Sequence, residues 1–157
     1  MRLTTMTDYA LRLLMHVAQQ GDRLCTIAEV AQVYGISEAH LMKITHQLGL
    51  GGWIETVRGK GGGMRLAREP AHINLGELVR SVEPDFMLVE CMDSSSACTL
   101  TGRCGLTRVF SGALGAFMRQ LDDHTLADVL PKTRPGGKAY STTVALPAAS
   151  LRRRSPA

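Results

Sequence analysis

Trp53-Ile-Glu-Thr-Val57, Arg58-Gly-Lys-Gly-Gly-Gly63 and Met64-Arg-Leu66 follow one another without a break. The outer runs carry β-branched, aromatic and long apolar residues and read as strands; the glycines between them read as a turn. The stretch is therefore a hairpin with a cationic tip. What precedes it gives it meaning. Thr26-Ile-Ala-Glu29 fits a capping box that opens a helix over Ile27 to Tyr34, and Gly35 breaks that helix. Ser37 then caps a further helix running to about Leu48, with Ile36, Leu41, Ile44 and Leu48 on its apolar side. A short helix, a glycine turn and a second helix make a helix-turn-helix, although any αα-corner shares that spacing. A hairpin placed directly after it gives the layout of a winged helix. A nucleotide-binding loop is the rival for the glycine-rich tip. The Walker spacing is absent, and no helix opens after Gly63.

This layout names candidate DNA contacts. The helix after Ser37 would lie in the major groove, with Ser37, Glu38, His40 and Lys43 outward near its N-terminal end. Arg58 and Lys60 at the hairpin tip would grip phosphates or enter a minor groove. The bland alternative for each is a solvated surface residue. His46 and Gln47 lie further along and are weaker candidates.

On the N-terminal side, Thr7 to Gln20 reads as a helix with Leu11, Leu14, Met15 and Ala18 at helical spacing and Thr7 as its N-cap. Asp8 falls in the first turn, where the helix dipole favours negative charge, and Arg12 lies one turn on. Taken alone, this is helix-start chemistry.

On the C-terminal side, Leu75 to Val82 reads as a short helix ended by Glu83-Pro84. Cys91-Met-Asp-Ser-Ser-Ser-Ala-Cys98-Thr-Leu-Thr-Gly-Arg-Cys104 follows, a loop-forming stretch with three of the four cysteines. Its Cys-x6-Cys-x5-Cys spacing has no zinc knuckle and matches no ferredoxin run. Three thiols there suit a metal or cluster that lacks one ligand; three unrelated free thiols are the plain alternative. Cys25 is a fourth ligand by type only, and its position suggests a half-buried structural thiol. From Leu106 to Leu121 apolar residues recur at every helical turn. The chain before this helix is too small to cover such a stripe, so a homodimer is expected, and its two-fold axis would suit a palindromic operator. Thr125-Leu-Ala-Asp128 opens a last short turn.

The expected fold is mainly α with a small β wing. Residues 1–82 make a winged helix-turn-helix, 83–104 a cysteine-rich loop, 105–131 a dimerisation helix with a short final helix, and 132–157 a disordered basic tail. Net charge is +2 over 1–82, −4 over 83–131 and +6 over 132–157, which sum to the +4 of the whole chain. Polyanions would thus be drawn to the two ends and repelled by the middle. No apolar run approaches the roughly 20 residues that span a bilayer, and the N-terminus lacks the apolar core of a signal peptide. A cytoplasmic protein is expected, where clustered thiols stay reduced and bind metals. An electron carrier or redox enzyme would use the same thiols, but no second cofactor motif or acid–base pair accompanies them. A zinc-stabilised adaptor is a further alternative.

Taken together, Met1-Arg-Leu-Thr4, Thr7-Asp-Tyr-Ala-Leu-Arg12, Val33-Tyr-Gly-Ile-Ser37, Glu55-Thr-Val-Arg-Gly-Lys60, Gly62-Gly-Met-Arg-Leu66, the three loop cysteines and Leu121-Asp-Asp-His-Thr-Leu-Ala-Asp128 resemble the iron–sulfur winged-helix regulators. The resemblance covers about residues 1–131. It is to the nitric-oxide-sensing branch, with the iron-responsive RirA branch as the nearest competitor. It implies a dimeric repressor that leaves double-stranded operator DNA when nitric oxide attacks its cluster. The implied ligands are Cys91, Cys98 and Cys104 of one protomer and Asp8 of the partner subunit, with Arg12 beside them. A [4Fe-4S] cluster is favoured over [2Fe-2S]. The IscR branch carries a histidine three residues after its last cysteine; that position here is Thr107.

Overall fold

The computed structural model describes residues 2–93, 95–100 and 103–131. The expected basic tail, 132–157, lies outside them. The elements run α1 (Thr5–Ala18), α2 (Ile27–Tyr34), α3 (Glu38–Leu50), β1 (Ile54–Val57), β2 (Gly63–Leu66), α4 (Leu75–Val82), α5 (Leu106–Asp122) and α6 (Leu126–Val129), with single 3-10 turns at Pro70–His72 and Glu90–Met92. This is mainly helical, with one small antiparallel sheet.

Local chemistry sets most boundaries. Thr26 accepts from the Glu29 amide while the Glu29 carboxylate accepts from the Thr26 amide at 2.7 Å, closing the capping box on α2. That amide, and then Arg23, pull the Glu29 carboxyl down to about 2. The cap's contribution is therefore complete above the ordinary carboxylate range and is lost as pH falls toward 2. Gly35 ends α2 in the left-handed region, and Ser37 caps α3 through the His40 amide. One expected boundary moves. Thr4, not Thr7, caps α1; Thr7 lies inside the helix and is buried. The reason is Glu83, whose carboxylate accepts from the Thr4 amide at 3.0 Å, the Thr4 hydroxyl at 3.0 Å and the Thr7 hydroxyl. The helix start is thus written partly by a residue 79 positions away.

One core holds α1 to α4 and the hairpin together. Leu13, Leu14, Leu41, Ile44, Leu48, Ile73 and Leu78 are buried at its centre. Leu126 of α6 joins them with no exposure, because its amide donates to the Ile73 carbonyl at 2.8 Å and draws the chain back after α5. Cys25 is fully buried rather than half-buried, and its segment bridges to Met64 beside the sheet. The helix α5 stands apart from this centre. It packs on α4, and only its Met118 is buried. Among the described residues no helix is long and apolar enough to cross a membrane.

Candidate metal centre and nucleic-acid interface

The hairpin forms as expected, with Glu55 facing Arg65 across the strands and joined to it by an ion pair of 2.8 Å. Its tip, residues 58–62, projects Arg58 and Lys60 into solvent. Gly59 and Gly61 have φ of +99° and +77°, values that side chains disfavour. The glycines therefore shape a turn that can approach another backbone closely, with Lys60 between them and Arg58 just before them. On α3, Glu38, His40 and Lys43 are exposed at the N-terminal end while Leu41, Ile44, Thr45 and Leu48 face the core. The Ser37 hydroxyl is engaged in the cap, and the His40 ring meets Tyr9 of α1 edge-on at 6.0 Å. So α3 offers one exposed face, and the hairpin flanks it.

The cysteines sit at the other end of the chain's path. All four are free thiols. Cys25 is excluded as a ready ligand: burial first, then the Glu29 charge, push its pKa up to about 11, so it holds its proton inside the core. Cys91 lies in the 3-10 turn, half-buried, with its sulfur 3.1 Å from the Thr107 hydroxyl. The Cys104 sulfur accepts from the Leu106 amide at 3.4 Å. Both loop ends are therefore seated on the first turn of α5, where the free amides favour negative charge. Cys98 is exposed between them.

Asp8 faces a shallow depression of about 410 Å³ lined also by Arg2, Leu3, Thr4, Thr5 and Leu11. Its carboxylate takes a hydrogen bond from Arg12 Nε at 3.1 Å and an ion-pair contact from the same guanidinium at 3.0 Å, with both side chains 48% exposed. So exposed a pair adds little stability. Its interest is that an unburied carboxylate is held in one orientation on the surface of α1. Among the described residues of one chain, no three His, Cys, Asp or Glu side chains come together to hold a metal ion. In kind, the donors still fit an iron–sulfur group: three unpaired thiols on one loop, with the Cys104 sulfur receiving a backbone hydrogen bond and the Cys91 sulfur within hydrogen-bonding distance of a hydroxyl. The Thr4/Thr7–Glu83 contacts were not legible in the sequence, where Glu83 reads only as the end of α4.

The sequence pattern of the family described as Rrf2, iron-dependent transcriptional regulator, matches residues 3–132. The HTH-type transcriptional regulator NsrR of Bacillus subtilis (strain 168) is 45% identical over 132 residues, covering 83% of this chain and 90% of that protein. NsrR of Shouchella clausii (strain KSM-K16) is 44% identical over the same length, covering 83% and 89%. Among solved structures, T. potens IscR superposes with a TM-score of 0.66 at 26% identity, over 82% of this chain and 85% of that one. The oxidised form of Staphylococcus aureus CymR has a TM-score of 0.67 at 21% identity, over 85% and 99%, which is a likeness of fold. The chain belongs to the Rrf2 family of iron-dependent transcriptional regulators, and it is a DNA-binding regulator built on a winged helix-turn-helix.

Proposed function

We propose that this regulator is a dimeric repressor that senses nitric oxide through an iron–sulfur cluster, [4Fe-4S] in preference to [2Fe-2S], and leaves its operator when the cluster reacts. The observation that carries the reading is the free three-thiol loop seated on the start of α5, with Asp8 exposed on α1. Cys91, Cys98 and Cys104 would hold the cluster together with Asp8 of the partner subunit. Bound in that way, the cluster would present an iron whose carboxylate ligand is harder and weaker than a thiolate, open to a small uncharged molecule. The chain's own part is mechanical. A carboxylate engaged across the dimer fixes α1, and α1 touches α3 through Tyr9 and His40. Once released, Asp8 has Arg12 within reach, so the free arrangement is also satisfied. Two arrangements of α1, each with its own partners, are what a switch needs.

The test is an anaerobic titration of freshly purified chain with nitric oxide, followed by absorbance, iron and sulfide content, and operator binding. Charge-transfer bands that bleach as operator binding is lost support the proposal. A cluster indifferent to nitric oxide but lost to an iron chelator would move the reading to iron sensing.

For DNA contact, Arg58 and Lys60 at the wing tip are proposed phosphate or minor-groove residues, and Glu38, His40, Lys43 and Ser37 lie at the end of α3 that would face the bases. Lys60→Ala is expected to weaken binding of all DNA sequences alike and to lower the slope of log affinity against log salt by about one. A changed base preference with an unchanged slope would place Lys60 among the base readers instead.

A further inference from the structure

The last turn of α4 ties three parts of the molecule together through adjacent residues. Arg80 makes a two-pronged contact with the Asp122 carboxylate at the end of α5, at 2.6 and 2.7 Å. Ser81, the next residue, turns the other way. Its hydroxyl accepts from the indole N–H of Trp53 at 3.0 Å and donates to the Leu78 carbonyl at 2.7 Å. Its carbonyl accepts from the side-chain amide of Gln47 on α3, at 3.5 Å.

Trp53 is the residue at which α3 ends and the wing begins. Its amide donates to the Leu48 carbonyl of α3 at 3.0 Å, and its carbonyl accepts from Ala67 just past β2, also at 3.0 Å. The indole is 5% exposed and is covered by the Arg68 guanidinium 4.9 Å from the ring centroid. A side chain at Gly51 would come within 2.7 Å of the ring, so the backbone there is drawn in to seat it. The single indole N–H has one direction and one acceptor, and that acceptor belongs to α4.

We propose that Ser81 is a positioning residue for DNA recognition. Holding Trp53, it sets the angle between α3 and the wing, so that bases and flanking phosphates are met together. Through Arg80 and Asp122, the same turn passes the setting of α5 to both DNA-contacting elements. The inference rests on α3 and the wing being the DNA-contacting elements, and it does not depend on which group occupies the cysteine loop. A positional role predicts a loss of selectivity more than of affinity at large. Phosphate attraction to a basic surface survives a small change of angle; base contacts do not.

The experiment uses the full chain, purified anaerobically with its iron and sulfide content matched between variants, and two duplexes. One is the duplex that the wild-type chain selects from a random-sequence pool, and the other is a shuffled duplex of equal composition. Ser81→Ala, Trp53→Phe and the double variant are compared by fluorescence anisotropy, with thermal melts in parallel. Each single variant is expected to lose about tenfold in affinity for the selected duplex, the scale of one hydrogen-bonded constraint, and less than about twofold for the shuffled one. The double variant should be no worse than either single variant, since both delete the same bond. Ser81→Thr, which keeps the hydroxyl, should restore selectivity. Trp53 is the only tryptophan, so its emission should shift in Ser81→Ala and return in Ser81→Thr. Equal losses on both duplexes that track a lowered melting temperature would overturn the proposal, as would wild-type binding by Ser81→Ala or additive losses in the double variant. If the wild-type chain, with iron and sulfide present, selects no duplex at all, it is the assignment of α3 and the wing that fails.

Discussion

Cys98→Ala is expected to yield a folded, colourless protein that no longer distinguishes its operator. The side chain is exposed in a loop, and the hydrogen bond at that residue is made by its backbone amide to the Ser96 hydroxyl at 3.2 Å, which alanine keeps. Thermal stability of the metal-free chain should therefore stay within about 0.5 kcal/mol of wild type. The proposed cluster, by contrast, loses one of only three thiolates, and no described residue of the chain stands ready to replace it. Iron and sulfide content after anaerobic purification should fall to near zero. Operator affinity should drop to the non-specific level, roughly a thousandfold. Cys25→Ala supplies the opposite case. That thiol is buried in the core and holds its proton. Its removal should cost stability and leave the absorbance bands in place. A Cys98→Ala protein that kept its bands would remove the loop from the metal site, and one that kept operator control without them would remove the cluster from the mechanism.

What was readable in the sequence, and what was not, follows from the range of the interactions. α2, the start of α3 and α4 are written by neighbours: a capping box at Thr26 and Glu29, a serine cap at Ser37, apolar residues one turn apart. The wing was readable because glycine spacing at 59, 61 and 62 has few uses other than a tight turn. The start of α1 escapes a local reading because Glu83, far along the chain, supplies acceptors that make Thr4 the better cap. The sequence pattern suggests a half-buried Cys25; backbone pairing with Met64 lays it alongside β2 with its side chain buried in the core, which no local pattern announces. The role of Trp53 was hidden for the same reason. As a sequence it is a strand residue, and only the fold brings Ser81 to its indole. The candidate site divides in the same way. The thiols and the wing cations are conspicuous by type and spacing. Asp8 is ordinary helix-start chemistry until the regulators that the chain resembles give it a partner, and the seating of Cys91 on Thr107 depends on how the loop closes onto α5.

Val109→Asp should turn the proposed dimer into a monomer without unfolding it. On α5, Val109 is 64% exposed and Leu106 49%, one turn apart on a face that the chain itself leaves uncovered. Phe110, Leu114 and Phe117 lie beside them, half-buried, lining a cavity of about 670 Å³ that opens toward Leu3 and Phe86. A face of this kind in an otherwise well-packed protein is what a second copy would cover. An aspartate on that face would be desolvated without a partner in the proposed dimer, twice over by symmetry, yet would sit in water in the single chain. Association should weaken by at least about a hundredfold, the order of effect for an unpaired buried charge, as read by sedimentation equilibrium or light scattering across a concentration series. The melting temperature should fall to that of dilute wild-type protein and no further. Selective DNA binding should fall with it, since each subunit would reach one half-site alone. The same variant also tests where the fourth ligand comes from. If Asp8 of the partner subunit completes the site, the monomer should load cluster poorly and lose it quickly to a chelator. A monomer that retains its cluster as firmly as wild type would place that ligand within one chain, and α1 would then need another route to feel the state of the loop. A variant that remains dimeric at every concentration would move the interface away from this face of α5 altogether.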